Sequence, residues 1–172
     1  SQAVAASSSR APWGSRPLRR LMAHAWCLAV ANGLTQAAFI QYQIGVVHLS
    51  LTGYQLLATL MYGGQIGWSA ACGRATTPRE HRGWLFAGSL IASGALPCWL
   101  LASAEQWWWL IGAFLCWGAF GAVNVAGPNL RLGCCAPGET GQKLAWFRQT
   151  AGKIAGLSGL LGGWLLDQGF VM

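Results

Sequence analysis

Long apolar runs alternate with short polar clusters along this chain. From Leu21 to Gly73 there is no Asp, Glu, Lys or Arg. One helix over that stretch would be about 80 Å long at 1.5 Å per residue, against a hydrocarbon core of about 30 Å. The stretch therefore turns once, and His48–Gly53 (HLSLTG) is the best place for the turn. This predicts a first helix over about 21–47 and a second over about 54–73. The polar cluster 74–83 (RATTPREHRG) separates these from a third helix over about 84–102. A short turn holding Glu105 leads to a fourth over about 107–130, which opens on Trp107, Trp108 and Trp109. A loop over 131–143 precedes a fifth helix over about 144–166. Each run is far longer than the roughly ten-residue alternating strand of a membrane barrel. The fold class expected is therefore all-α: a polytopic membrane helix bundle of about five transmembrane helices.

Charge supports this count. The inner side of such a bundle would carry Arg10, Arg16, Arg19, Arg20, Arg74, Arg79, Arg82, Arg131 and Lys143, with Arg148 and Lys153 on the inner part of the fifth helix. Glu105 and Asp167 fall outside. Adding or deleting one middle span would break this positive-inside sorting. The expectation is a multi-pass protein of the plasma (inner) membrane with a cytoplasmic N-terminus. Residues 1–20 would form a basic, flexible cytoplasmic segment and 21–172 the bundle. Residues 1–20 do not read as a secretory signal, because no cleavage site follows a short apolar core.

Composition agrees. Hydrophobic residues make up 54% and charged residues 9%, whereas soluble domains carry about 25% charged residues. The net charge of +7 does not indicate nucleic acid, because the cations sit in short clusters between apolar runs and not in one patch interleaved with stacking aromatics. They suit anionic headgroups, with the lipid bilayer as partner. Of six cysteines, Cys27, Cys72, Cys98 and Cys116 fall inside apolar runs, and Cys134–Cys135 in a loop. Without ligand spacing, and with His24, His48 and His81 scattered near span ends, no metal or cofactor is expected.

Polar residues inside spans are costly and should face the bundle or a cavity. Asn32, Gln36 and Gln43 recur at steps of four and seven, which keeps them on one helical face. They read either as a substrate-lining stripe or as interhelical glue. Trp117, Gly121, Asn124, Pro128 and Arg131 share a face of the fourth helix. Gly127-Pro128 would break its backbone ladder. Such breaks border binding sites in transporters, and they also serve packing alone. Lys153 either snorkels to the inner face or contacts an anionic group in a cavity. Gly152, Gly156, Gly159 and Gly163 form small-xxx-small patterns that admit another helix. The loop with Gly73, Arg74, Arg79 and Arg82 is a topological anchor or a charged latch that rearranges as helices rock.

The pattern resembles one half of a major facilitator superfamily transporter over about Leu21 to Asp167. That family carries a Gly-x-Leu-x-Asp-Arg-x-Gly-Arg-Arg-like signature after its second span. Here the stretch reads from Gly73 to Arg82, with Gly73 and Arg82 fitting, Thr77 in place of Asp and Glu80 in place of the second Gly. Ser158-Gly159-Leu160-Leu161-Gly162-Gly163 is similar to the Gly-rich fifth or eleventh span. The stretches Pro128-Asn129-Leu130 and Ala136-Pro137-Gly138-Glu139 resemble the exit of the tenth. The resemblance implies a C-terminal half, five helices of six, with the missing N-terminal half as partner. It also implies transport of a small-molecule substrate by alternating access about a midplane site, without enzymatic activity. Two other classes compete. One is a non-transporting module that binds partner helices through its glycine face. The other is an intramembrane protease, since Gly156-Leu157-Ser158-Gly159 resembles the rhomboid nucleophile segment. A serine nucleophile needs a base within reach, and no His follows Ser158.

Overall fold

A computed structural model describes residues 16–135 and 140–169. All regular structure among them is helical. Helix α1, Arg16–Gln41, continues through a π-helical turn at Tyr42–Val46. It is followed by α2, Leu51–Gly73; α3, Pro78–Ser93; α4, Ala95–Leu101; α5, Trp109–Gly118; α6, Phe120–Leu132; and α7, Thr140–Asp167. Since α3 leads into α4 and α5 into α6 with a single residue between them, the described residues form five helical stretches. Two of these, Pro78–Leu101 and Trp109–Leu132, each of 24 residues, are long and apolar enough to cross a membrane. The other three, each of 23 residues or more, are long enough but less apolar on average.

Several boundaries differ from the sequence expectation, each for a local reason. Helix α1 starts at Arg16, so Arg16, Arg19 and Arg20 belong to a helix and not to a flexible segment. Leu18 and Met22 bury themselves there against Phe147 of α7, which gives the first turns a hydrophobic anchor. The rest of the 1–20 segment, with Arg10, lies outside the described residues. The first turn of the chain is shorter than His48–Gly53, because Ser50 caps α2 by accepting from the Gly53 N–H at 3.1 Å. Its reversal needs a left-handed residue, supplied by His48 at φ 54°.

The basic cluster is half helix. Thr77 accepts from Glu80 N–H, the Glu80 carboxylate accepts from the Thr76 and Thr77 N–H groups, and Pro78 occupies the first turn. Thr77 and Glu80 together make this capping box. Proline is tolerated at such a position because its missing N–H would be unpaired anyway. The fourth helical stretch breaks at Ala119 and runs through Pro128, where the sequence had placed the break at Gly127-Pro128. Around Ala119 the ladder tightens to three-residue steps, Ala119 N–H to Cys116 and Ala122 N–H to Ala119. The expected loop 131–143 is shortened from both sides, by Leu132 ending α6 and Thr140 opening α7; Ala136, Pro137, Gly138 and Glu139 are outside the described residues.

Helix α1 packs chiefly on α7, α2 on α5 and α6, α3 on α6, and α4 on α5. Helix α1 meets α6 only over a short stretch. The α1–α7 pair is joined to the rest at one end by an aromatic cluster. Phe39 of α1 stacks on Trp99 of α4 at 4.5 Å and lies edge-on to Trp117 of α5 at 5.1 Å. Tyr42 donates its hydroxyl to the Ala102 carbonyl at 2.7 Å. Toward the other end Arg131 of α6 meets Phe147 of α7 and His24 of α1 meets Ser89 of α3, and a groove runs between the two bodies.

Alanines share the core with Trp99, Leu110 and Phe114, and many large apolar side chains face outward. Fully buried positions include Ala113, Ala119, Ala122 and Ala126, while Leu51, Ile66, Phe86, Leu100 and Leu160 are more than 70% exposed. Closely packed alanines within and large apolar side chains outside are compatible with a lipid-facing helix bundle.

Candidate functional site: a polar groove between α1 and α5–α6

The groove has two adjoining arms. The first, about 230 Å³, is lined by Asn32, Thr35, Gln36, Phe39 and Gln43 of α1 and its π turn, facing Tyr54, Phe114, Trp117 and Phe120. The second, about 470 Å³, is lined by His24, Leu28 and Asn32 of α1, Phe120, Asn124, Pro128 and Arg131 of α6, and Arg148 of α7. Asn32 and Phe120 line both, so they mark the junction.

The α1 wall follows from helical spacing. Positions 32, 36, 39 and 43 step by four, three and four and so lie on one face. Asn32 and Gln36 are exposed in the open groove. Gln43 is 2% exposed, and its Oε1 has no hydrogen-bond partner. A buried unpaired amide oxygen costs about 1–3 kcal/mol. It is held there by the π turn, a distortion often found at functional sites. The opposite wall comes from the face that carries Trp117, Asn124, Pro128 and Arg131. Gly121, expected on that face, instead meets the backbone of Gln65 on α2, and Ser69 donates to its carbonyl at 3.1 Å. The neighbouring Gly118 and Gly64 are also in contact.

The structure thus gathers four of the five expected substrate residues: Asn32, Gln36, Gln43 and Asn124. Lys153 does not join them. It is exposed and lies outside both arms, and Arg148 and Arg131 are the cations of the groove. A five-residue step turns a helix by about 140°, so Arg148 and Lys153 cannot both face α6. Arg131, expected in a loop, is on the last turn of α6 with its guanidinium 3.9 Å above the Phe147 ring. The aromatic lining was missed at sequence level, although Phe39 sits on the polar stripe and Phe120 falls four residues before Asn124.

Of Gly152, Gly156, Gly159 and Gly163, only Gly159 approaches α1, where an added Cβ would stand 3.8 Å from the Gly33 carbonyl oxygen; the other three face open space. The close contacts use Ala155, Ser158 and Gly162 against Gly33 and Leu34. Ser158 is buried there, donating its hydroxyl to the Ile154 carbonyl at 2.7 Å. The histidines are engaged elsewhere: His24 Nε2 is 3.4 Å from Ser89 Oγ, and His81 lies between Cys72 and Asn129. Ser158 thus packs in the α1–α7 contact.

Gly73, Arg74, Arg79 and Arg82 are all exposed and do not converge on one latch. Arg82 instead lines a cavity of about 710 Å³ with Arg16 and Arg20 of α1. Among the described residues no group of three His, Cys, Asp or Glu side chains is placed to hold a metal ion. Comparison with family models, with characterised proteins and with solved structures finds no match to this chain.

Proposed function

We propose that this chain is a multi-pass membrane protein whose five helical stretches cross the bilayer with the N-terminus cytoplasmic, and that it carries a small solute through the α1/α5–α6 groove. On this reading it is one half of a secondary transporter of the major facilitator type, in the plasma membrane, and a second helical body closes the open side of the groove. The carrying observation is the buried, unpartnered Gln43 oxygen beside Asn32 and Gln36 in an aromatic-walled cleft. Glue amides would have found partners within the bundle. The many exposed large apolar side chains support the membrane placement, and the positive-inside rule supports the orientation. Movement would come from the short α1–α6 contact, with the aromatic junction as pivot and the Arg131–Phe147 and His24–Ser89 contacts as the links that release.

Reconstitution into vesicles with a candidate partner half tests this. Solute flux that falls in Gln43→Leu and Gln36→Leu, with the assembly intact, is the expected result. Absent flux with a stable complex would instead favour the helix-binding module. One observation favours that second reading: Gly152, Gly156 and Gly163 present an unoccupied face on α7.

A further inference from the structure

We propose that the second arm of the groove is an oxyanion site, in which Arg131 and Arg148 bind a phosphate or carboxylate group. It rests on the groove reading above and specifies the class of ligand. Both guanidiniums line one cavity of about 470 Å³ together with the amides of Asn32 and Asn124. Neither arginine has an ion-pair partner among the described residues. Glu80 is engaged by the Thr76 and Thr77 N–H groups. Glu105 follows α4 and Asp167 ends α7, both at the opposite end of the bundle from Arg131 and Arg148. Glu139 lies outside the described residues.

Arg131 is preset for such a ligand. Its guanidinium is fixed over Phe147, and its Nε is buried without a hydrogen-bond partner. A planar fork with free donors matches a carboxylate or phosphate in bidentate fashion. Two like charges share the arm and no described carboxylate lines it, so an anion relieves their repulsion as well as pairing with each. The cavity lined by Arg16, Arg20 and Arg82 adjoins this arm through Leu21, His24 and Leu85. It adds a positive mouth that concentrates anions. The first arm lacks charge and would hold the neutral part of the same molecule.

Thermal unfolding of the purified chain in an uncharged detergent, titrated with glycerol 3-phosphate, succinate and glycerol, tests the site. The two anions should raise the midpoint and glycerol should not. Arg148→Gln should weaken anion binding by about tenfold or more, Arg148→Lys by less, and Lys153→Gln not at all. Arg148 is exposed, so its variants should fold even where Arg131→Gln does not. An equal loss in Lys153→Gln would reduce the effect to general attraction and overturn the site, as would indifference to both anions. Nanodiscs of phosphatidylcholine with and without phosphatidylglycerol identify the source of the anion. Protection by phosphatidylglycerol that soluble anions do not displace assigns the site to a lipid headgroup; protection by soluble anions in phosphatidylcholine assigns it to a solute. Flux of a neutral solute that needs Gln43 and ignores both arginines would sink this inference and leave the transport reading standing.

Discussion

Gly33 of α1 lies so close to Ser158 of α7 that a Cβ added to it would sit 2.7 Å from the Ser158 Cβ and 2.5 Å from the Ala155 carbonyl oxygen. Gly162 of α7 stands in the same relation to the Leu34 backbone. The α1–α7 pair therefore depends on the absence of a side chain at two positions. Gly33→Leu and Gly162→Leu should each destabilise the protein by about 1–3 kcal/mol or split the pair. Gly152→Ala and Gly156→Ala, which meet open space, should gain up to about 1 kcal/mol of helix propensity. Unfolding in mixed detergent micelles measures both sets, and equal losses would contradict the pairing described.

Gln43 should separate stability from function. Gln43→Met removes the unpaired buried acceptor while keeping the side-chain length, so the unliganded protein should hold or raise its unfolding midpoint. Solute binding should fall at the same time. A drop in stability without a loss of binding would mean that the amide is structural.

The tryptophans divide by burial. Trp99 is 5% exposed and contacts Phe39, Phe114 and Trp117, with ring centroids 4.5 to 6.3 Å away. Trp99→Ala should cost about 3–5 kcal/mol and loosen the junction between the two bodies. Trp107→Ala and Trp108→Ala, at half-exposed positions, should change stability little in detergent and shift the depth of the protein in a bilayer. Fluorescence quenching by brominated lipids separates the two outcomes.

Thr77 and Glu80 cap α3 reciprocally. Thr77→Ala should cost about 1 kcal/mol. Glu80 sits in the first turn, ahead of the apolar stretch that begins at Trp84, and the N–H groups of Thr77 and Thr76 hold its carboxyl below its usual range. A depressed folded-state pKa means that this contribution is complete above the unfolded-state value. It is lost as the pH falls through the folded-state value. Acid titration of the unfolding midpoint should therefore show a step that Glu80→Gln removes.

The number of helical stretches and the polar stripe of α1 were legible in the sequence, because both follow from local periodicity and from where charge interrupts apolar runs. Asn32, Gln36 and Gln43 share a face in any α-helix, whatever packs on it. What faced what was not legible. The rotation of α7 about its axis is set by the Gly33 and Gly162 contacts, and that rotation puts Arg148 in the groove and Lys153 outside it. It also leaves three of the four expected packing glycines unopposed. Trp99 and Trp108 look alike as residues in apolar surroundings, yet only the meeting of α1, α4 and α5 buries one of them. Helical periodicity assigns residues to faces; only packing against a specific neighbour decides which face is inside, because that choice depends on the shapes of two helices together.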